Sequence, residues 1–173
     1  MGDRDADFSA YVAARWNSLV RTAVFLGCSL EEAQDVTQTA LTKCYIAWKR
    51  VQRANNPDAY VYRVLINCHR DVWRRRSSHE VPRTAESIEA QTPALGYDTG
   101  EVTATTDAIH RALGELNTEA RAVVVLRHLL ELSEQETADA LGVPVGTVKS
   151  RLSRAMARLA GNGHLLELRG DQA

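Results

Sequence analysis

Ser133-Glu134-Gln135-Glu136-Thr137-Ala138-Asp139-Ala140-Leu141-Gly142-Val143-Pro144-Val145-Gly146-Thr147-Val148-Lys149-Ser150-Arg151-Leu152 is the stretch whose reading decides the fold. Ser133 followed three residues later by Glu136 is a capping box, in which each side chain satisfies an exposed N–H of the other's backbone and so opens a helix. Ala138 and Leu141 turn inward from that helix. Gly142 then supplies the residue type that accepts the left-handed backbone on which a helix stops. A second helix is predicted over 145–160, with Val145, Val148, Leu152, Ala155, Met156 and Leu159 as its apolar stripe. Helix, glycine turn and helix form a helix-turn-helix arrangement.

The polar side of the second helix carries Thr147, Ser150, Arg151, Arg154 and Arg158, with Lys149 beside them, and no acid occurs from Val145 to Ala160. The preceding helix is acidic, with Glu131, Glu134, Glu136 and Asp139 in or next to it. Positive charge is thereby confined to the face that would enter a DNA major groove. The blander reading is an amphipathic hairpin with a basic, solvated outer face. Turn, polarity and cap together favour DNA.

Upstream, three more helices are predicted. Phe8, Val12, Trp16, Leu19, Val20, Ala23 and Leu26 keep a 3.6-residue period that ends at Gly27. Ser29 and Glu32 form another capping box, opening a helix through Val36, Leu41, Tyr45 and Trp48 that gives way near Val51. Asn56-Pro57-Asp58 starts a third, with a cap residue and a proline at the first helical position. That helix places Val61, Val64, Leu65, Cys68 and Val72 on one stripe and Tyr60, Arg63, Asn67, Arg70, Asp71 and Arg74 on another. Arginine, asparagine and aromatic side chains hold phosphates, read base edges and stack on unpaired bases. Residues 78–103 lose the periodicity and read as a linker, and beyond it short helices are placed at about 105–114 and 118–130. The fold class is all-α. Two small helical domains, 1–77 and 104–162, are joined by the flexible linker 78–103, with a tail at 163–173.

Composition narrows the function further. A chain of 173 residues is too short for a large multidomain enzyme. The longest apolar run, Ala122 to Leu126, is far below the roughly 18–20 residues of a bilayer crossing, and the acidic start is unlike a signal peptide, so the protein reads as cytoplasmic with no membrane insertion. Cys28, Cys44 and Cys68 match no closely spaced thiolate pair and read as buried apolar thiols, although a redox role for them stays open. His69, His79, His110, His128 and His164 are scattered, so no catalytic cluster, metal or cofactor is implied. The net charge of −1 hides an uneven distribution: residues 1–77 hold 12 Lys and Arg against 8 Asp and Glu, 78–103 hold 1 against 5, and 104–173 hold 8 against 9. One recognition helix offers only a few base contacts of about 1–3 kcal/mol each, so a selective binder needs a second foothold. Residues 55–76 supply one within the same chain.

The run Gly142 to Ala155 resembles region four of the extracytoplasmic-function sigma factors, compact sigma-70 relatives that direct bacterial RNA polymerase to promoters. Glu32-Ala33-Gln34-Asp35-Val36-Thr37-Gln38-Thr39-Ala40-Leu41, ending at Ala47-Trp48, is similar to the family's polymerase-clamp helix, and Asn56-Pro57-Asp58-Ala59-Tyr60 through Arg74 to its minus-ten-reading helix. The blocks stand in the family's order and most resemble the actinobacterial SigE-type group.

The resemblance implies a division of labour. Glu32, Asp35, Gln38 and Leu41 would meet core RNA polymerase. Asn55, Asn56, Tyr60, Arg63, Asn67, Arg70, Asp71 and Arg74 would capture the unpaired minus-ten strand of promoter DNA. Thr147, Lys149, Ser150, Arg151, Arg154 and Arg158 would read the minus-thirty-five element. An inhibitory anti-sigma factor is a further implied partner, and the free chain is expected to be a monomer. Two departures stand out. Thr39-Ala40-Leu41 replaces the family's frequent Glu-Thr-Phe, and Ala173 leaves no room for an added C-terminal regulatory domain. Elements two helical turns apart lie about 70 Å apart, so the 26-residue linker, about 85 Å when stretched, must be held extended on the promoter. In the family it threads the polymerase channels, where Glu80, Glu86, Glu89, Asp98 and Glu101 could imitate nucleic acid. The rival readings are a dimeric helix-turn-helix regulator on a palindrome, binding without polymerase, and a helical protein-interaction module.

Overall fold

The computed structural model of the chain describes residues 2–79 and 104–163. The linker acids and most of the predicted tail lie outside these residues. Among the described residues every regular element is helical. Helix α1 spans Gly2–Phe25, α2 Leu30–Ile46, α3 Trp48–Gln52 and α4 Pro57–His79. The C-terminal half holds α5 (Ala104–Gly114), α6 (Thr118–Val124) leading into a π-helical turn over Val125–Leu129, α7 (Glu134–Leu141) and α8 (Val145–Ala160).

The local signals act where the sequence places them. Gly27 has φ 107° and terminates α1, with the Cys28 N–H donating to the Ala23 carbonyl and the Gly27 N–H to that of Val24, a Schellman closure. Ser29 and Glu32 form a reciprocal capping box at α2, and Ser133 and Glu136 do so at α7. The Asn56 side chain accepts the Ala59 N–H and caps α4. Gly142 has φ 65° and closes α7. Three boundaries differ from the periodic reading. The second helix breaks at Ala47, so Trp48 belongs to the separate helix α3. The helix predicted over 118–130 loosens to π after Val124, where Leu130 N–H reaches back to Val125 and Leu132 N–H to Leu126. Helix α4 runs two residues past the domain boundary placed at 77.

Two apolar cores result. In the N-terminal half, Leu19, Val20, Ala23, Val36, Ala40, Leu41, Cys44, Trp48, Val61 and Leu65 pack together, with the Phe8, Tyr11 and Trp48 rings in edge contacts near 5 Å. The second core gathers Ala112, Leu113, Leu116, Val123 to Leu126, Ala138, Leu141, Val148, Ala155 and Leu159 from the C-terminal half. It also takes Phe25 and Leu26 from the α1 terminus and Ile66 from α4. The two halves are therefore packed on each other, with α4 lying against both α2 and α7.

The seam has an unusual polar content. His69 is 2% exposed and His110 8% exposed. The Phe25 and His110 rings lie 6.3 Å apart, and His110 hydrogen-bonds to the Val24 backbone. The Arg121 guanidinium donates to the carbonyls of Leu113, Gly114 and Leu116 and lies over Gly27, with Nη1 only 2.3 Å from where a Cβ would stand. Burial, and secondarily the Arg121 charge, hold the His69 imidazole down to about 4. His69 is thus neutral in the fold, whereas in an unfolded chain it takes a proton below about 6.5. Acidification through the window from about 6.5 to about 4 favours the unfolded state, because that state binds the extra proton. We expect the wild-type urea midpoint to fall between pH 7 and pH 5, with up to about 2 kcal/mol lost through this one group. His69→Gln should flatten that dependence, and equal pH dependence in both proteins would contradict the assignment.

Candidate nucleic-acid interface

Helix α8 buries Val148, Ala155 and Leu159 and leaves Ser150, Arg154 and Arg158 exposed. Met156, placed on the inward stripe by periodicity, is 40% exposed. The outer face is pre-ordered along its own backbone: the Ser150 hydroxyl donates to the Thr147 carbonyl at 3.1 Å, and Arg154 Nε to the Ser150 carbonyl at 3.1 Å. Arg151, Arg154 and Arg158 line a shallow groove with Leu116, Asn117, Glu119 and Ala120. The start of α8 carries no acid, so its N-terminal partial charge is left for an anion.

Two of the six predicted residues are ion-paired with acids of the protein. Arg151 pairs with Glu119 at 2.5 Å and its side chain is 23% exposed, which ties α8 to the start of α6. Lys149 pairs with Glu134 at 3.3 Å. Thr147 is half-buried at the first turn. Arg154 and Arg158 are the most available cations of the set.

Along α4 the eight predicted residues fall into two adjoining recesses. Asn55, Asn56, Tyr60 and Arg63 line the first, and the Arg63 guanidinium stacks 4.8 Å from the centre of the Tyr60 ring, which makes a planar platform. Asn67, Arg70, Asp71 and Arg74 line the second, with Arg74 and Asp71 paired at 3.0 Å. Glu136 and Asp139 of α7 complete the wall of the first recess. Asn56 Nδ2 donates to Glu136 at 2.9 Å, and Arg70 Nη1 donates to the Leu141 carbonyl at 2.7 Å. Hydrogen bonds from the Ser133 backbone and hydroxyl, and then from Asn56, hold the Glu136 carboxyl below its ordinary value, so it stays charged there.

The outer stripe of α2 exposes Asp35 and Gln38, and Thr42 donates to the Gln38 carbonyl at 2.9 Å. Two of the predicted docking residues have roles within the fold itself. Leu41 is 5% exposed and belongs to the N-terminal core, since it shares the stripe of Val36, Ala40 and Cys44. The Glu32 carboxylate accepts the Ser29 N–H as part of the cap. Sequence reasoning missed Ile46, which is 76% exposed at the end of the same helix, next to Tyr45. The signal was its place on the Asp35, Gln38 and Thr42 side of the helix, three to four residues apart.

Cys28, Cys44 and Cys68 are all buried thiols outside any disulfide, and burial pushes the Cys44 thiol up to about 12, so it is no thiolate at neutral pH. Among the described residues no group of three or more His, Cys, Asp or Glu is placed to hold a metal ion, and no helix is long and apolar enough to cross a membrane.

Residues 8–79 match the family model for sigma-70 region 2, and residues 106–159 that for sigma-70 region 4. The RNA polymerase sigma-E factor of Streptomyces coelicolor is 40% identical over 153 residues, covering 88% of this chain and 84% of that protein. The ECF RNA polymerase sigma factor SigM of Mycobacterium tuberculosis is 32% identical, covering 92% and 78%. Among solved structures, CnrH in complex with the cytosolic domain of CnrY is 26% identical with a TM-score of 0.61, over 96% of this chain and 91% of that one. The fold is also shared with the sigma factor RpoE of Bartonella quintana, solved with the anti-sigma factor NepR, at 24% identity and a TM-score of 0.66 over 88% and 94%. With both regions in one chain, in that order, and relatives this similar over most of its length, the protein belongs to the sigma-70 family as an extracytoplasmic-function sigma factor.

Proposed function

We propose that this sigma factor directs core RNA polymerase to promoters through three separate faces, α2 for the polymerase, α4 for the minus-ten strand and α8 for the minus-thirty-five duplex. The observation that carries the reading is the presence, on one short chain, of a basic helix-turn-helix face and a second helix with an aromatic, amide and guanidinium platform. A single-stranded base can stack on Tyr60 and Arg63 and meet the amides of Asn55 and Asn56, and Arg154 and Arg158 meet duplex phosphates and base edges. Opening a promoter opposes stacking of about 1.4 kcal/mol per step, more than these few contacts supply alone. The chain therefore acts as a polymerase subunit. It acts in the cytoplasm, as a monomer when free, without catalytic chemistry of its own, and an anti-sigma factor is a partner of the folded chain.

Arg151 works through Glu119, setting how α8 sits on α6, and Leu41 works through the core. Arg154 and Arg158 carry the duplex contacts, and Ile46 joins Asp35 and Gln38 in the polymerase-facing stripe.

Run-off transcription with core polymerase and a promoter library tests the reading directly, and absence of transcripts from any defined start would overturn it. We expect Arg154→Ala to lower promoter-dependent transcription by the equivalent of about 1–3 kcal/mol while polymerase pull-down is retained. Asp35→Ala and Ile46→Asp should reduce the pull-down itself, with the thermal midpoint little changed. Leu41→Ala, in contrast, should lose about 2–5 kcal/mol of folding stability. If Arg154→Ala and Ile46→Asp weaken polymerase association equally, the separation of faces is wrong.

A further inference from the structure

Tyr11 of α1 bridges the two helices that flank Asn55 and Asn56. Its ring makes an edge contact with Trp48 of α3 at 5.3 Å, and its hydroxyl donates to Asp58 of α4 at 2.9 Å. We propose that Tyr11 and Arg15 are positioning residues for promoter recognition, which act through Asp58 to hold the turn between α3 and α4 in the geometry that selects the minus-ten base.

The inference rests on the assignment of Asn55 and Asn56 to the minus-ten strand, and it deepens that reading by naming what sets their place. Arg53 to Asn56 are all that separates α3 from α4, and α1 holds both ends of this turn. On the α3 side, Gln52 Nε2 donates to Asp7 at 3.2 Å, the Phe8 ring meets Trp48 at 5.1 Å, and Trp48 and Val51 are buried. On the α4 side, Asp58 accepts the Tyr11 hydroxyl on one carboxylate oxygen and Arg15 Nη2 on the other, at 2.6 Å. With a donor on each oxygen, the direction of the carboxylate is fixed as well as its place. Burial, and then the hydrogen bond to Asp58, push the Tyr11 phenol well above its ordinary value, so it stays a donor.

Within the turn, the Ala54 N–H donates to the Val51 carbonyl at 3.1 Å and the Asn56 side chain accepts the Ala59 N–H at 3.0 Å. A short turn held at both ends loses little further freedom when a base arrives, so its amides meet that base already in place. Neither Tyr11 nor Arg15 lines the recess of Asn55, Asn56, Tyr60 and Arg63, so they act on the base through the turn and not by touching it. The Arg15–Asp58 pair is partly exposed, and such a pair adds little stability. Its effect lies in orientation.

The test uses holoenzyme assembled from the full-length chain and core polymerase, transcribing one promoter library randomised in the minus-ten element and another randomised in the minus-thirty-five element. Tyr11→Phe keeps the ring on Trp48 and removes only the donor, and Arg15→Gln removes the ion pair. Each should flatten the minus-ten base preference by at least about fivefold, the low end of what one good base contact supplies, with the minus-thirty-five profile and the polymerase pull-down unchanged. Arg15→Lys should restore most of the preference. Adding Tyr11→Phe to Asp58→Ala should flatten it no further than Asp58→Ala alone, because residues acting as one unit are not additive. Val12→Ala, on the same helix and against the N-terminal core, should lower the thermal midpoint and leave the preference intact. A wild-type minus-ten preference that Tyr11→Phe and Arg15→Gln both retain overturns the positioning role alone, and so does an equal flattening by Val12→Ala. A wild-type holoenzyme that transcribes with no minus-ten preference at all overturns the assignment of α4, and the positioning role with it.

Discussion

Helix α4 has to serve two cores at once, and the rest of the structure follows from that constraint. Val61, Leu65 and Cys68 point into the N-terminal core, whereas Ile66 points into the C-terminal one. A helix buried on two sides keeps only a narrow polar strip, and here that strip carries Asn67, Arg70, Asp71 and Arg74. These polar residues are thus held on a rigid support whose position is set from both sides. The same double burial makes the strip sensitive to how the two halves sit, because α7 reaches it at Arg70 and meets the cap of α4 at Asn56.

Helix α7 shows how one acidic segment can do several jobs. Its Glu134 and Glu136 sit in the first turn, where negative charge is favoured by the helix dipole. Glu136 also closes the capping box and accepts from Asn56, and Glu134 steadies Lys149 on α8. The acidity read in the sequence as a contrast that confines positive charge to α8 is, in the folded chain, also a charge set against α4. These exposed pairs contribute little each, about 0–1 kcal/mol, so they select an arrangement more than they stabilise it.

Much of this architecture was legible in the sequence because its signals are local. The two Ser-to-Glu boxes, Asn56 before Pro57, and the glycines at 27 and 142 each fix a helix end through groups within a few residues. The apolar stripes of α1, α2 and α8 follow one period against one partner. What stayed hidden depends on a second partner. Ile66 lies off the α4 stripe and is buried in the core of the C-terminal half. Arg121 reads as a solvated charge until the chain turn brings three carbonyls onto it. At the site, the basic face of α8 was legible as a face, but its internal pairing was not, since Glu119 lies 32 positions from Arg151. Leu41, read both on the apolar pattern of α2 and as a polymerase contact through its family motif, is packed in the N-terminal core.

The strength of the packing between the two halves can be bounded by its composition. Three buried apolar side chains and two charge-assisted hydrogen bonds, Arg70 to Leu141 and Asn56 to Glu136, favour it. Against these stand His69 Nε2, His110 Nδ1 and a desolvated Arg121, since buried polar atoms lacking a protein partner oppose packing. An interface that mixes favourable burial with incompletely satisfied polar groups is weaker than its apolar burial alone implies.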